Sequence, residues 1–142
     1  MASEDEGLAD PNALQVCLNT WQNFHLLGEP EGDFALAGAV VYLALAPKSN
    51  AIYSAFKISH AKESQTDHLS PPKTNINAPT KFMKEQGYGK GYIYDHEGPE
   101  GFSGQNHFPD GDRESFYHPV ERWFERDLKK RLAYFKKIRK KT

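Results

Sequence analysis

The sequence predicts an all-α fold: a helical bundle with one long irregular segment ahead of its last helix. Three observations lead there. Three consecutive segments between Asp10 and Ser64 repeat apolar residues at helical spacing and are joined by short loops, as antiparallel neighbours in a bundle are. Residues 119–141 form a further amphipathic stretch, in which Trp123, Phe124, Leu128, Leu132, Phe135 and Ile138 make an apolar stripe among Lys and Arg. Between Gly87 and His118, Gly, Pro, Asp and Asn interrupt every candidate element.

The first helix starts at Asp10-Pro11, with Asp as the N-cap and Pro at the first helical position, where its missing N–H costs nothing. Leu14, Cys17, Leu18, Trp21 and His25 follow at helical spacing, and Gly28 supplies a stop. The loop GEPEGD leads to a second helix near Asp33, ended by Pro47. A third is capped by Ser49 and runs through Ile52, Tyr53, Phe56 and Ile58 to about Ser64. Residues 65–80 read as a long connection rich in Pro, Asn and Thr, and a short helix spans 79–86. The last helix is predicted over 119–141.

The second helix is apolar on every side, so one buried face cannot account for it. Its small residues, Ala35, Ala37, Gly38, Ala39 and Ala44, allow close approach of other helices. Two readings stay open: a central core helix, or a helix at a subunit interface formed by Val40, Tyr42 and Leu43.

Composition narrows the function. The chain has 142 residues, 38% hydrophobic and 26% charged, a soluble globular balance of single-domain size. Its one cysteine, Cys17, excludes an internal disulfide framework and fits a reducing compartment. MASEDEG lacks the basic and apolar segments of a signal peptide. The longest apolar run, Phe34–Ala46, is shorter than the ~20 residues that span a bilayer. The expectation is a cytoplasmic protein with no membrane partner. Net charge is −1, but it is unevenly spread: residues 1–47 hold seven acids and no Lys or Arg, and residues 121–142 hold ten Lys/Arg against three acids. A basic end of this kind attracts a polyanion or pairs with an acidic surface of another subunit.

No catalytic constellation emerges. GYGKGY fails as a phosphate loop, because Gly91 follows Lys90 where Ser or Thr is needed, and Tyr92 stands where a dinucleotide motif needs its third glycine. His96, His107 and His118 are each eleven residues apart, unlike the close ligand pairs of zinc sites. Asp95 and Glu97 read as solvated acids, and Cys17 as a small hydrophobe on the first helix. Catalytic residues, cofactor-binding residues and metal ligands are therefore expected to be absent. In the last helix, Lys129, Lys130, Lys136, Lys137, Arg139, Lys140 and Lys141 are candidate phosphate contacts. Equally, they can be the solvated face of a packed helix whose last turn favours cations.

Three strings carry a resemblance: ASEDEGLADPNAL, LALAPKSNAIYSA and NAPTKFMKEQGYGKGYIYDHEGPEGF. Together they resemble the C-terminal region of the replication-associated recombination protein A family (RarA, also MgsA), AAA+ ATPases whose eukaryotic relative is the Werner helicase-interacting protein. The resemblance covers essentially the whole chain. It implies a clamp-loader-like motor acting at stalled replication forks, with ATP and magnesium bound in domains that precede this region. It further implies that residues 1–9 are the junction from a lid domain, and that residues 10–142 are a collar-like helical domain assembling a homotetramer. DNA and single-stranded DNA-binding protein are implied partners, with a nucleoid location. Pro47–Asn50 matches the family's turn, and Gly87, Tyr88, Gly89, Gly91, Tyr92, Tyr94 and His96 match its Gly/aromatic signature; both read as structural. In that reading, the tyrosines and Phe102 pin the loop to the helices. Glu6 and Trp123 depart from the family, standing where an aliphatic residue and a glycine are implied. The first departure implies a weaker junction, the second an altered packing of the last helix.

Overall fold

The computed structural model describes residues 1–109 and 113–139. Among them all regular structure is helical, as the sequence predicts. The longer helices are α1 (Ala13–Leu27), α2 (Glu31–Leu45), α3 (Ala51–Thr66) and α5 (Phe124–Arg139), with a short α4 (Lys81–Glu85). Single turns of other pitch occupy Ala2–Glu6, Lys73–Asn75, Asp95–Glu97 and Pro99–Gly101.

The chain divides into two units, one holding 1–59 and 116–131, the other 60–115 and 132–142. In the first unit, α1 and α2 form the extensive helix pair. Gly28 ends α1 at φ 66°, a left-handed conformation that glycine adopts without a Cβ penalty, and its N–H donates to the Phe24 carbonyl. Gly32 then lets α2 close on α1, since a Cβ there would lie 2.9 Å from Phe24 Cα. The helix starts later than the sequence suggests. The Asp10 carboxylate accepts the Asn12 N–H at 3.0 Å and caps a turn, so α1 begins at Ala13. Ser49 does cap α3, accepting the Ala51 N–H at 3.3 Å.

The expected antiparallel packing of all three helices is narrower than foreseen. The buried positions of α3 are the alanines Ala51 and Ala55, while Ile52, Tyr53, Phe56 and Ile58 are exposed. The N-terminal turn and the link between α2 and α3 hold each other: the Ser49 N–H donates to the Asp5 carbonyl at 2.6 Å, and Arg122 donates to the Lys48 carbonyl at 2.6 Å. The Phe124 N–H reaches the Ala9 carbonyl at 3.3 Å. Glu6 is fully buried at this junction, where the Lys48 ammonium donates to its Oε1 and also to the Leu43 carbonyl. The carboxylate in place of an aliphatic residue is thus tied in by a cation.

The second unit is mostly loop, fixed by polar side chains. The Gly89 N–H donates to the Lys73 carbonyl at 2.7 Å, and the Lys73 ammonium lies 5.6 Å from the Tyr88 ring centre. Thr80 caps α4 by accepting the Met83 N–H. Gln105 bridges the loop, donating to the Gly91 carbonyl at 2.6 Å and accepting the Ile93 N–H at 2.9 Å. Asp95 accepts both the Ser103 N–H at 2.9 Å and its hydroxyl at 2.5 Å. Phe102 packs on Phe135 of α5, ring centres 4.9 Å apart.

Candidate functional site

The feature that sets this chain apart is where its large apolar side chains lie. Among the described residues the buried hydrophobic ones are Ala9, Ala13, Ala39, Ala51 and Ala55. The larger groups face outward, with Phe34 of α2 71% exposed, Val40 66% and Leu45 81%; Trp21 of α1 and Phe56 of α3 are comparable. The sequence suggested two roles for α2. With Val40 exposed and Leu43 only half-buried, it is not an internal core helix within this chain.

Tyr42 also ties α2 to the chain before α1: its hydroxyl donates to Asp10 Oδ2 at 2.7 Å. That hydrogen bond chiefly, with burial and the Asp10 charge behind it, raises the Tyr42 pKa. The pair lies at one edge of an apolar groove completed by Gly38, Val41, Leu45 and Trp123. Trp123 sits at φ 41°, a left-handed conformation rarely open to a bulky side chain. A glycine would adopt it freely.

The cations proposed to touch phosphates do not form one uniform face. Lys129 pairs with Glu121, whose carboxyl it holds below its ordinary pKa, and Lys130 pairs with Asp127 at 3.3 Å. Lys136 and Arg139 line a cleft in the second unit. Lys137 is exposed, and Lys140 and Lys141 lie outside the described residues. Helix α5 begins at Phe124, five residues later than the sequence suggests, because the stretch before it is claimed by Glu125. That carboxylate is fully buried; it accepts the Tyr117 hydroxyl at 2.7 Å and the Val120 N–H at 3.3 Å.

In the Gly/aromatic signature, Gly87, Gly89 and Gly91 have φ of 83°, 71° and 81°, which explains the glycines. Tyr92 and Tyr94 are half-exposed, and Tyr94 stacks on His96 at 4.9 Å. Pinning to a helix is done by Phe102, and the rest of the loop is held by Gln105, Asp95 and Ser103 rather than by its tyrosines. The Ser103 hydrogen bonds, side-chain then backbone, chiefly lower the Asp95 pKa against burial, with lesser contributions from His107 and His96. No group of three His, Cys, Asp or Glu able to hold a metal occurs among the described residues. No described helix is long and apolar enough to cross a membrane.

Sequence reasoning missed Glu125, Tyr117, Gln105 and Arg113. Each reads as a solvated polar residue until the fold gives it partners. Near them only Gly104 leaves a trace in residue choice, through its left-handed φ of 70°.

Comparison with known proteins agrees with the strings noted above. A family model described as MgsA AAA+ ATPase C terminal matches residues 1–136. A protein of Coxiella burnetii named replication-associated recombination protein A is 45% identical over 97% of this chain and 32% of its own length. Its Escherichia coli K12 namesake is 43% identical over 94% of this chain and 30% of its own. A Dictyostelium discoideum protein named ATPase WRNIP1 is 44% identical over 68% of this chain and 11% of its own. The chain therefore spans a third or less of the length of these relatives.

Proposed function

Because the chain belongs to the family of MgsA AAA+ ATPase C-terminal domains, we propose that it is a non-catalytic oligomerisation domain, assembling a AAA+ ATPase as a tetramer. One observation carries this reading: buried hydrophobic residues that are all alanines, beside exposed Phe34, Val40, Leu45, Trp21 and Phe56. Burying one such large side chain contributes about 1.5–3 kcal/mol, so several left in water are a strong drive to associate. Repeated copies covering one another's α1, α2 and α3 would bury them. The relatives' names support a role in replication and recombination. In this proposal the whole protein binds ATP and magnesium outside the present chain and works on DNA at stalled forks, alongside single-stranded DNA-binding protein, in the nucleoid.

Light scattering tests it. The chain should have four subunit masses at micromolar concentration, and Val40→Glu should give a helical monomer or dimer, since an unpaired carboxylate buried at an interface costs more than the roughly 2–7 kcal/mol of a neutral polar group by transfer scales. A wild-type mass of one subunit ends the proposal. ATP should leave the melting temperature unmoved, because a ligand that bound the folded chain would raise it with concentration.

A second reading is DNA contact through α5, favoured by Lys136 and Arg139 lining a cleft, whereas Lys129 and Lys130 are paired with acids. A four-copy assembly would multiply weak contacts of that kind.

A further inference from the structure

The second unit contains a cleft of about 420 Å³, with Arg113, Ser115, Lys136 and Arg139 among its walls and Phe135 and Leu132 as apolar floor. Among the described residues its one acidic wall residue, Glu114, is paired with Lys62. Two buried guanidinium atoms here, Arg113 Nη1 and Arg139 Nε, have no hydrogen-bond partner among the described residues. Arg113 is otherwise held by donating through Nη2 to the Gln105 carbonyl. Arg139 is held by stacking, its guanidinium carbon 5.3 Å from the Phe102 ring centre.

This arrangement is costly as it stands. A buried donor without an acceptor forfeits its hydration, and more so when charged. Burial and the neighbouring Arg139 charge both work against the Arg113 charge, in that order. Two like charges lining one cleft, each with a buried donor and with no described carboxylate paired to either, are what a tetrahedral oxyanion relieves. Each guanidinium can give a fork of N–H groups to its oxygens.

We propose that Arg113 and Arg139, with Lys136 at the rim and the Ser115 hydroxyl as a further donor, form a binding site for a phosphate group. The proposal does not depend on the assembly reading. It also differs from a general α5 contact, because its centre is Arg113, which lies outside that helix. Phosphate can reach such a cleft free or as part of a polynucleotide backbone, and the chemistry is shared.

The test uses the full chain with two probes: inorganic phosphate by calorimetry, and a labelled single-stranded oligonucleotide by anisotropy. Arg113→Gln and Arg139→Gln should each weaken binding about tenfold, and should lower the salt slope of oligonucleotide binding by about one. The double variant Lys129→Gln/Lys130→Gln, whose charges are already paired, should weaken it much less. Arg113→Lys should keep the salt slope but bind less tightly, since it keeps the charge and loses the fork; it also reports on the site if Arg113→Gln fails to fold. Loss of phosphate binding with oligonucleotide binding unchanged identifies a free phosphate as occupant; loss of both identifies the backbone. Three results would overturn the site. Both arginine variants could bind both probes as the wild type does. Phosphate could bind only after Asp110→Asn/Asp112→Asn, which would mean that the chain's own carboxylates serve the arginines. Or Arg113→Gln could lower the oligomer mass while leaving both probes unaffected, which would assign the arginines to a partner's carboxylate.

Discussion

The Tyr117 hydroxyl donates to Glu125 Oε1 at 2.7 Å, and the carboxylate that receives it has no accessible surface. Apart from this bond it has the Val120 N–H at 3.3 Å. Tyr117→Phe should therefore destabilise the chain by about 1.5–3 kcal/mol, the worth of a hydrogen bond to a charged group. Chemical denaturation with unchanged m-value would show it. A loss under half a kcal/mol, on the order of a surface substitution, would mean that water replaces the hydroxyl.

The same contact predicts a pH effect. Burial first, then the hydrogen bond and the charge of Glu125, push the Tyr117 pKa well above its ordinary value of 10.0. The folded chain therefore holds this proton more tightly than the unfolded one. Its contribution is fully present below pH about 10 and declines as pH rises further. The alkaline loss of stability should be steeper in the wild type than in Tyr117→Phe.

Glu6 and Lys48 make a second buried arrangement. Lys48→Met leaves the Glu6 carboxylate buried without its cation, a change that costs about 3–5 kcal/mol where it has been measured. Lys48 is partly exposed, which places the expectation at the low end. Adding Glu6→Leu should recover most of the loss, because the apolar replacement needs no partner. Urea melts of the two single variants and the double would decide. No recovery would show that the Lys48 bond to the Leu43 carbonyl carries the effect.

At Trp123 the comparison is between two small residues. Both Trp123→Gly and Trp123→Ala remove the ring from the groove, but only glycine is unstrained at φ 41°. The glycine variant should be more stable than the alanine one by about 1–2 kcal/mol. Equal stability would mean that the backbone relaxes once the ring is gone.

Asp95 gives a local test. Its pKa is lowered by the two Ser103 hydrogen bonds, so what it adds to the loop is present above the unfolded carboxylate range and fades as pH falls through its folded value. Hydrogen exchange at the Ser103 amide should quicken in Asp95→Asn at neutral pH. At strongly acidic pH the variant and the wild type should converge.

The helices could be read from sequence where the cause is local. Gly28 stops α1 and Ser49 starts α3 through bonds to near neighbours, and apolar spacing marks what lies between. The start of α5 could not be read this way. Its displacement to Phe124 depends on Glu125 accepting from Tyr117 and Val120, and a glutamate in a basic helix looks like solvated charge. The interface reading was half legible: an all-round apolar α2 announced either a core or an assembly, and only the exposure of Val40 and Leu45 favours the second. The Arg113–Arg139 cleft was illegible, since nothing in an irregular segment says which arginine will lose its water.

The junction around Asp5, Ala9, Ser49 and Phe124 is joined by main-chain atoms, with Ser49 N–H on the Asp5 carbonyl and Phe124 N–H on that of Ala9. Beyond the small, enclosed Ala9 and beyond Gly7, where φ is 51° and a Cβ would lie 2.5 Å from the Ser49 carbonyl oxygen, these ties set few demands on residue identity, since peptide groups are the same whichever side chain they carry. They depend on count instead. A single inserted or deleted residue between positions 5 and 9 would move one carbonyl out of line with its donor and turn Glu6 away from Lys48. Across related sequences this segment should hold its length.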